Sequence, residues 1–139
     1  MKTITPSLQR FALTASILTV VFRYFLSYGI ESQNQLVMIL SAILYGLSMF
    51  AAGWYFGVKD GDYLPIFDVG FRFHTTTYVI HNGISLLWIE LGFGSHYEKI
   101  DTPLKTTIYW GSFLFIHFLF YLWARKNSID DLDKDEIFD

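Results

Sequence analysis

The chain contains no cysteine, which removes disulfide scaffolds, thiolate metal sites and thiol nucleophiles from the functions open to it. Charge is scarce as well. Only 17% of the residues are Asp, Glu, Lys or Arg, where a soluble domain carries about 25%. The net charge of −3 leaves no basic surface for nucleic acid. Lys2 and Arg10 precede an apolar run, as in a secretory signal, yet no small-x-small cleavage site follows and the run continues through Val21, Phe22, Arg23, Tyr24 and Phe25. It is therefore expected to be retained as a first span. Strict apolar/polar alternation over ten-residue segments, the mark of a membrane β-barrel, is missing too.

The composition is dominated by apolar side chains, 53% hydrophobic and 19% aromatic. A bilayer core needs about 20 apolar residues in a helix, and four segments meet that length: 11–30, 36–58, 73–94 and 106–124. Helices are the form in which such segments satisfy every backbone group in hydrocarbon. Short connections favour antiparallel neighbours. The expectation is an all-α, polytopic membrane protein, an antiparallel up-down-up-down four-helix bundle occupying residues 1–126, followed by an acidic cytoplasmic tail, 127–139. Asp131, Asp133 and Asp135 in that tail begin like a calcium loop, but Glu136 stands where glycine is needed and the chain stops short, so calcium is set aside.

Orientation follows from the basic residues. Lys2, Arg10, Lys59, Arg72, Arg125, Lys126 and Lys134 fall on one side of the four spans, while Lys99 and Lys105 fall on the other. The positive-inside rule puts both ends in the cytoplasm. Tyr and Trp cluster toward span ends, as an interfacial belt requires.

Polar residues inside spans are the candidates for function. His74 and His81 lie seven apart on one face of the third span, Arg23 is the one charge of the first, and His117 lies in the fourth. Counted at 1.5 Å per residue from the cytoplasmic span ends, His81 is about 12 Å deep and His117 about 10 Å deep. Thr19 and Ser48 fall near the same level. Nearer the outer side, Arg23 and Glu90 are close enough in depth to form an ion pair. The candidate pathway is thus His81, His117, Arg23, Glu90, His74, Thr19 and Ser48. The alternative use of these histidines is to fasten helices, at about 0.6 kcal/mol per contact. Two imidazoles at matched depth would also suit axial ligation of haem b, which makes His81 and His117 haem-ligand candidates.

Ala42, Gly46, Gly53 and Gly57 form a small-residue face on the second span, for packing within the bundle or for a homo-oligomer. The absence of a nucleophile, metal cluster or phosphate motif argues against an enzyme. The functions left are a membrane subunit that binds other proteins, or a small oligomeric channel or transporter with an intramembrane His/Arg/Glu layer; a haem-b redox subunit is the alternative. The partners expected are the lipid bilayer and further membrane proteins or copies of this chain.

Overall fold

A computed structural model describes residues 4–62 and 64–130, with the side chains of 128–130 not described. Four helices account for nearly all of it: α1 (Pro6–Glu31), α2 (Gln35–Gly61), α3 (Ile66–Glu90) and α4 (Asp101–Asp130). No strand occurs among the described residues.

The helix ends have local causes. Thr5 caps α1 by accepting from the Leu8 N–H at 3.1 Å, with Pro6 in the first helical position, where its missing N–H costs nothing. Asn34 caps α2 by accepting from Val37 N–H at 3.2 Å. Asp60 and Pro65 bracket the α2–α3 turn, so this connection is only 62–65 and α3 begins seven residues before the expected 73. At its other end α3 stops at Glu90 rather than continuing to 94. Gly92 adopts φ +78°, and the Phe93 N–H returns to Trp88 O at 2.9 Å. That left-handed closure suits glycine and ends the helix. The expected tail from 127 is helical as far as Asp130, and its remainder lies outside the described residues.

Contact between helices is uneven. Among the described residues α1 packs on α2 and α3, α2 touches α3, and α4 packs on α3 alone. Thr5 meets Asp60, Thr19 meets Tyr45 and Gly29 meets Met38, so sequence number rises along α1 as it falls along α2. Phe71 stacks on Tyr121, while Tyr78 reaches Gly111 and Asn82 reaches Thr107, the same relation between α3 and α4.

The buried stripe of α1 is Leu8, Phe11, Ala15, Thr19, Arg23 and Ser27, one residue per turn on a single face. Its lower half joins Ala52 and Phe73 in the apolar core, where Phe11 and Phe73 rings lie 4.7 Å apart. Its upper half is polar. Outward-facing side chains are the reverse: Phe50, Trp54, Phe113 and Trp123 are each more than 60% exposed. An apolar exterior of that extent is consistent with a membrane protein. Three helices are long and apolar enough to cross a membrane, α1, α2 and 101–127 of α4. α3 has the length at 25 residues but is too polar to qualify, so three rather than four segments meet the apolar requirement.

Candidate functional site

Four polar groupings follow the inner face from the 91–100 loop toward the α2–α3 turn. The outermost is built around Glu98, which the loop folds back between α1 and α3. One carboxylate oxygen accepts from Arg23 NH2 at 2.5 Å; the other accepts from Ser27 Oγ at 2.6 Å and from the Ser95 N–H at 2.8 Å. Trp88 Nε1 donates to Ser27 Oγ at 3.1 Å. The Arg23 and Glu98 side chains are 6% and 9% exposed, so the charges are removed from solvent together, as a buried pair requires. Glu90, the expected partner of Arg23, is exposed at the end of α3. Gly92 ends the helix just past it, and the loop delivers Glu98 instead.

The loop is held by a second carboxylate at the last residue of α1, beyond the apolar run 11–30. Glu31 accepts from Ser95 Oγ at 2.6 Å and from His96 N–H at 3.0 Å, and pairs with His96 Nδ1 at 3.2 Å. The Ser95 hydroxyl first, then the His96 N–H, hold the Glu31 carboxyl below its ordinary range.

Beneath Glu98 lies a cavity of about 310 Å³. Arg23 on α1, His81, Asn82 and Ser85 on α3, the 97–99 segment of the loop, and Thr102 and Thr106 on α4 contribute its polar wall. Asn82 is held in place from both ends: its Nδ2 donates to Tyr78 O at 2.8 Å and its Oδ1 accepts from Thr107 Oγ1 at 2.9 Å. Arg23 Nε and Ser85 Oγ, both buried, have no hydrogen-bond partner among the described residues.

The third grouping hangs on His81. Thr19 Oγ1 donates its one proton to Ala15 O at 2.7 Å, so the 3.0 Å contact with Tyr45 must be donated by the Tyr45 hydroxyl. The Tyr45 oxygen then accepts from His81 Nδ1 at 2.9 Å. His81 therefore carries its proton on Nδ1 and keeps a lone pair on Nε2. Phe22 stacks on Tyr45 at 4.4 Å and fixes the ring.

The innermost grouping is His74 with His117. An indole N–H can only donate, and Trp110 Nε1 reaches His74 Nε2 at 2.9 Å. The His74 proton is thereby placed on Nδ1, from which it is donated to His117 Nδ1 at 3.0 Å. The Trp110 ring also lies against His81, with centroids 5.3 Å apart, so one indole separates the two histidine groups.

His81 and His117, expected to share a level, are not brought together. His117 sits one ring from His74, with its Nδ1 in direct hydrogen-bond contact, and His81 faces Tyr45 and Trp110. Two helices that pair around a turn keep their registers fixed by the centre of that turn. The helix ends at Glu90 and Asp101 centre it near Ser95 and His96, whereas the expected spans centred it near residue 100. The register of α4 against α3 moves by about nine residues, roughly two and a half turns or 13 Å. His81 and His117, the two haem-ligand candidates, thus have different neighbours, Tyr45 and Trp110 for one and His74 for the other.

Thr19 is fully buried in the His81 network. Ser48 stands apart from it, in the apolar α1–α2 groove beside Leu44 and Val21. The small-residue face divides. A methyl placed on Gly53 would come within 3.9 Å of Phe11 and one on Gly57 within 3.7 Å of Val69, so both glycines face the inside of the chain, while Gly46 faces open space and Ala42 is exposed. The close approaches are made by Gly29, against Met38, and Gly111, against the Tyr78 hydroxyl.

Sequence reasoning did not single out Glu98, Tyr45 or Asn82 as site residues. Tyr45 did carry a signal, being a hydroxyl in the middle of the uncharged second span, between Ser41 and Ser48. Among the described residues no group of three or more His, Asp or Glu side chains is arranged to hold a metal ion. Comparison of the chain with protein-family models, with curated proteins and with solved structures finds no match.

Proposed function

We propose that this chain is a small integral membrane protein that crosses the bilayer four times, antiparallel, with both ends in the cytoplasm, and passes protons along the polar face of α3. The observation that carries the reading is the coincidence of an apolar exterior with a polar inner face that includes a cavity. Lipid-exposed polar groups cost about 2.5–3.5 kcal/mol each if ionised, so His74, His81, Arg23 and Glu98 belong on the sheltered side. α3 spans about 37 Å at 1.5 Å per residue, enough for a crossing, and its polar groups are covered by α1 on one side and α4 on the other. The cavity is large enough for several waters, which would connect the loop face to His81. Imidazoles exchange protons at both nitrogens; the Trp110 ring is the barrier between His81 and His74.

The test is a flux measurement. Purified protein in liposomes enclosing a pH-sensitive dye, with potassium and valinomycin to clamp the potential, is expected to collapse a pH gradient faster than protein-free liposomes, and His81→Ala and His74→Ala are each expected to slow the collapse. A rate equal to that of empty liposomes, or one indifferent to both substitutions, overturns the reading.

A second reading rests on α4, which among the described residues packs on α3 alone and so leaves its other faces to lipid or to a neighbour. A membrane subunit or a homo-oligomer would cover one of them, with Ala42 and Gly46 on α2 as a further close-packing face. Crosslinking in native membranes that yields only monomer removes this second reading.

A further inference from the structure

The cavity beneath Glu98 opens sideways. α1 and α4 both line it, yet they make no packing contact with each other among the described residues, so the gap between them faces the bilayer. Its two walls differ. Phe22, Leu26 and Ile30 line it along α1, one per turn on a single face, which gives a strip about three turns long for an apolar chain. The polar lining includes Arg23 on α1 itself, Ser85 on α3 and Lys99 in the loop.

The hydrogen-bonding capacity left at Arg23 and Ser85 includes unused donors, while His81 Nε2 in the same lining keeps a lone pair. Both oxygens of Glu98 are already engaged, by Arg23, Ser27 and the Ser95 N–H. Arg23 retains an Nε–H without a partner, and Ser85 a hydroxyl without a partner, although the two residues are only 5% and 3% exposed. Both residues line the cavity, and a serine hydroxyl has alternative staggered rotamers open to it. Lys99 adds an ammonium at the rim. With the Arg23 and Glu98 charges cancelling, Lys99 leaves one unbalanced positive charge among the lining residues, and Arg23 Nε and Ser85 Oγ remain unpartnered. The complement is an acceptor-only, negatively charged head.

We propose that this lateral cavity binds an amphipathic oxyanion, a carboxylate or phosphate head carrying an acyl chain, with the head at Lys99, Ser85 and Arg23 and the chain along Phe22, Leu26 and Ile30. The volume of about 310 Å³ is at the lower end for ligand pockets and takes the head and the first part of a chain, the remainder lying in the bilayer. The site shares its cavity with the waters of the proton path proposed above, so an occupant is expected to slow proton passage, and binding is read by labelling rather than by flux. Loss of flux with binding retained contradicts only the function proposed above; loss of binding with flux retained contradicts only this site.

The experiment uses the full chain in phosphatidylcholine nanodiscs and a palmitate bearing a diazirine near its carboxylate. After irradiation, crosslinks are expected in 22–30 and 97–106, and an excess of unlabelled palmitate is expected to remove them. Lys99→Glu is expected to weaken labelling about tenfold, the size of one charged hydrogen bond, and Ser85→Val to weaken it less. Arg23 is left intact because it holds Glu98. Competition by phosphatidylglycerol identifies a bilayer lipid as the source of the head, and competition by palmitate alone identifies a free fatty acid; both support the site. Equal labelling by a probe of the same length with a trimethylammonium head, equal competition by acetate, crosslinks spread evenly over α2, or indifference to Lys99→Glu overturns it.

Discussion

Arg23 and Glu98 are 75 residues apart in sequence and joined by a 2.5 Å ion pair that is almost closed to solvent. The pair ties the middle of α1 to the loop that leads into α4, and so substitutes for the packing contact α1 and α4 do not make. Removing one member of a buried pair strands the other, a cost of about 3–5 kcal/mol. Glu98→Ala is therefore expected to lower the midpoint of thermal unfolding in detergent strongly, whereas Glu90→Ala, at an exposed position, leaves it almost unchanged. Equal effects would return Glu90 to the role that depth counting assigned it.

Close packing is expected to be sensitive at Gly29 and tolerant at Gly46. A methyl on Gly29 would sit 2.9 Å from Met38 Cγ and 3.2 Å from Met38 N, whereas one on Gly46 meets nothing within 4 Å. Overpacking costs about 1–3 kcal/mol, and relief of helical glycine entropy returns only about 0.5–1 kcal/mol. Gly29→Ala should destabilise and Gly46→Ala should be neutral or mildly stabilising by the same thermal measurement.

Much of the fold was readable from the sequence because hydrocarbon imposes a simple rule on helix exteriors. Thr19 and Arg23 were visible as polar positions inside the first apolar run, and both are buried, with Ser27 one turn further along the same face. What was not readable depends on a turn. Gly92 ends α3 early, recentres the α3–α4 hairpin, and changes which histidines meet. It also frees the loop to return Glu98 to Arg23, a contact that no helical period encodes. α3 itself is too polar to declare its environment from composition, since its polarity is covered by neighbours rather than absent.

Hydrogen-bond direction gives a spectroscopic prediction. Nitrogen-15 NMR of the ring nitrogens is expected to find the proton of His81 on Nδ1 and that of His74 on Nδ1, because Tyr45 is committed to Thr19 and Trp110 can only donate. Tyr45→Phe removes the acceptor for His81 and is expected to shift that residue toward the Nε2 tautomer while leaving His74 unchanged. An Nε2 proton on His74 in the unsubstituted protein contradicts the inner chain of bonds.

The loop anchor at Glu31 should weaken in acid. Its carboxyl is held below the ordinary range by Ser95 and His96, so its contribution is present above the unfolded carboxylate value near about 4.3 and is lost as pH falls through the folded value. Hydrogen exchange of 94–98 is expected to be slower in the unsubstituted protein than in Glu31→Gln at neutral pH, and the difference is expected to shrink as the pH is lowered below the ordinary carboxylate range and to vanish once the folded-state carboxyl is protonated. A difference that persists there would mean that the anchor does not involve the ionised carboxylate.

The absence of cysteine makes the crossing of α3 directly measurable. Single cysteines introduced at Lys99 and at Asp62, the two ends of the segment that α3 occupies, are labelled in intact cells with a membrane-impermeant thiol reagent. Labelling of Lys99→Cys from outside, with Asp62→Cys protected until the cells are lysed, is the result expected if α3 spans the bilayer. Labelling of both from the same side would contradict it.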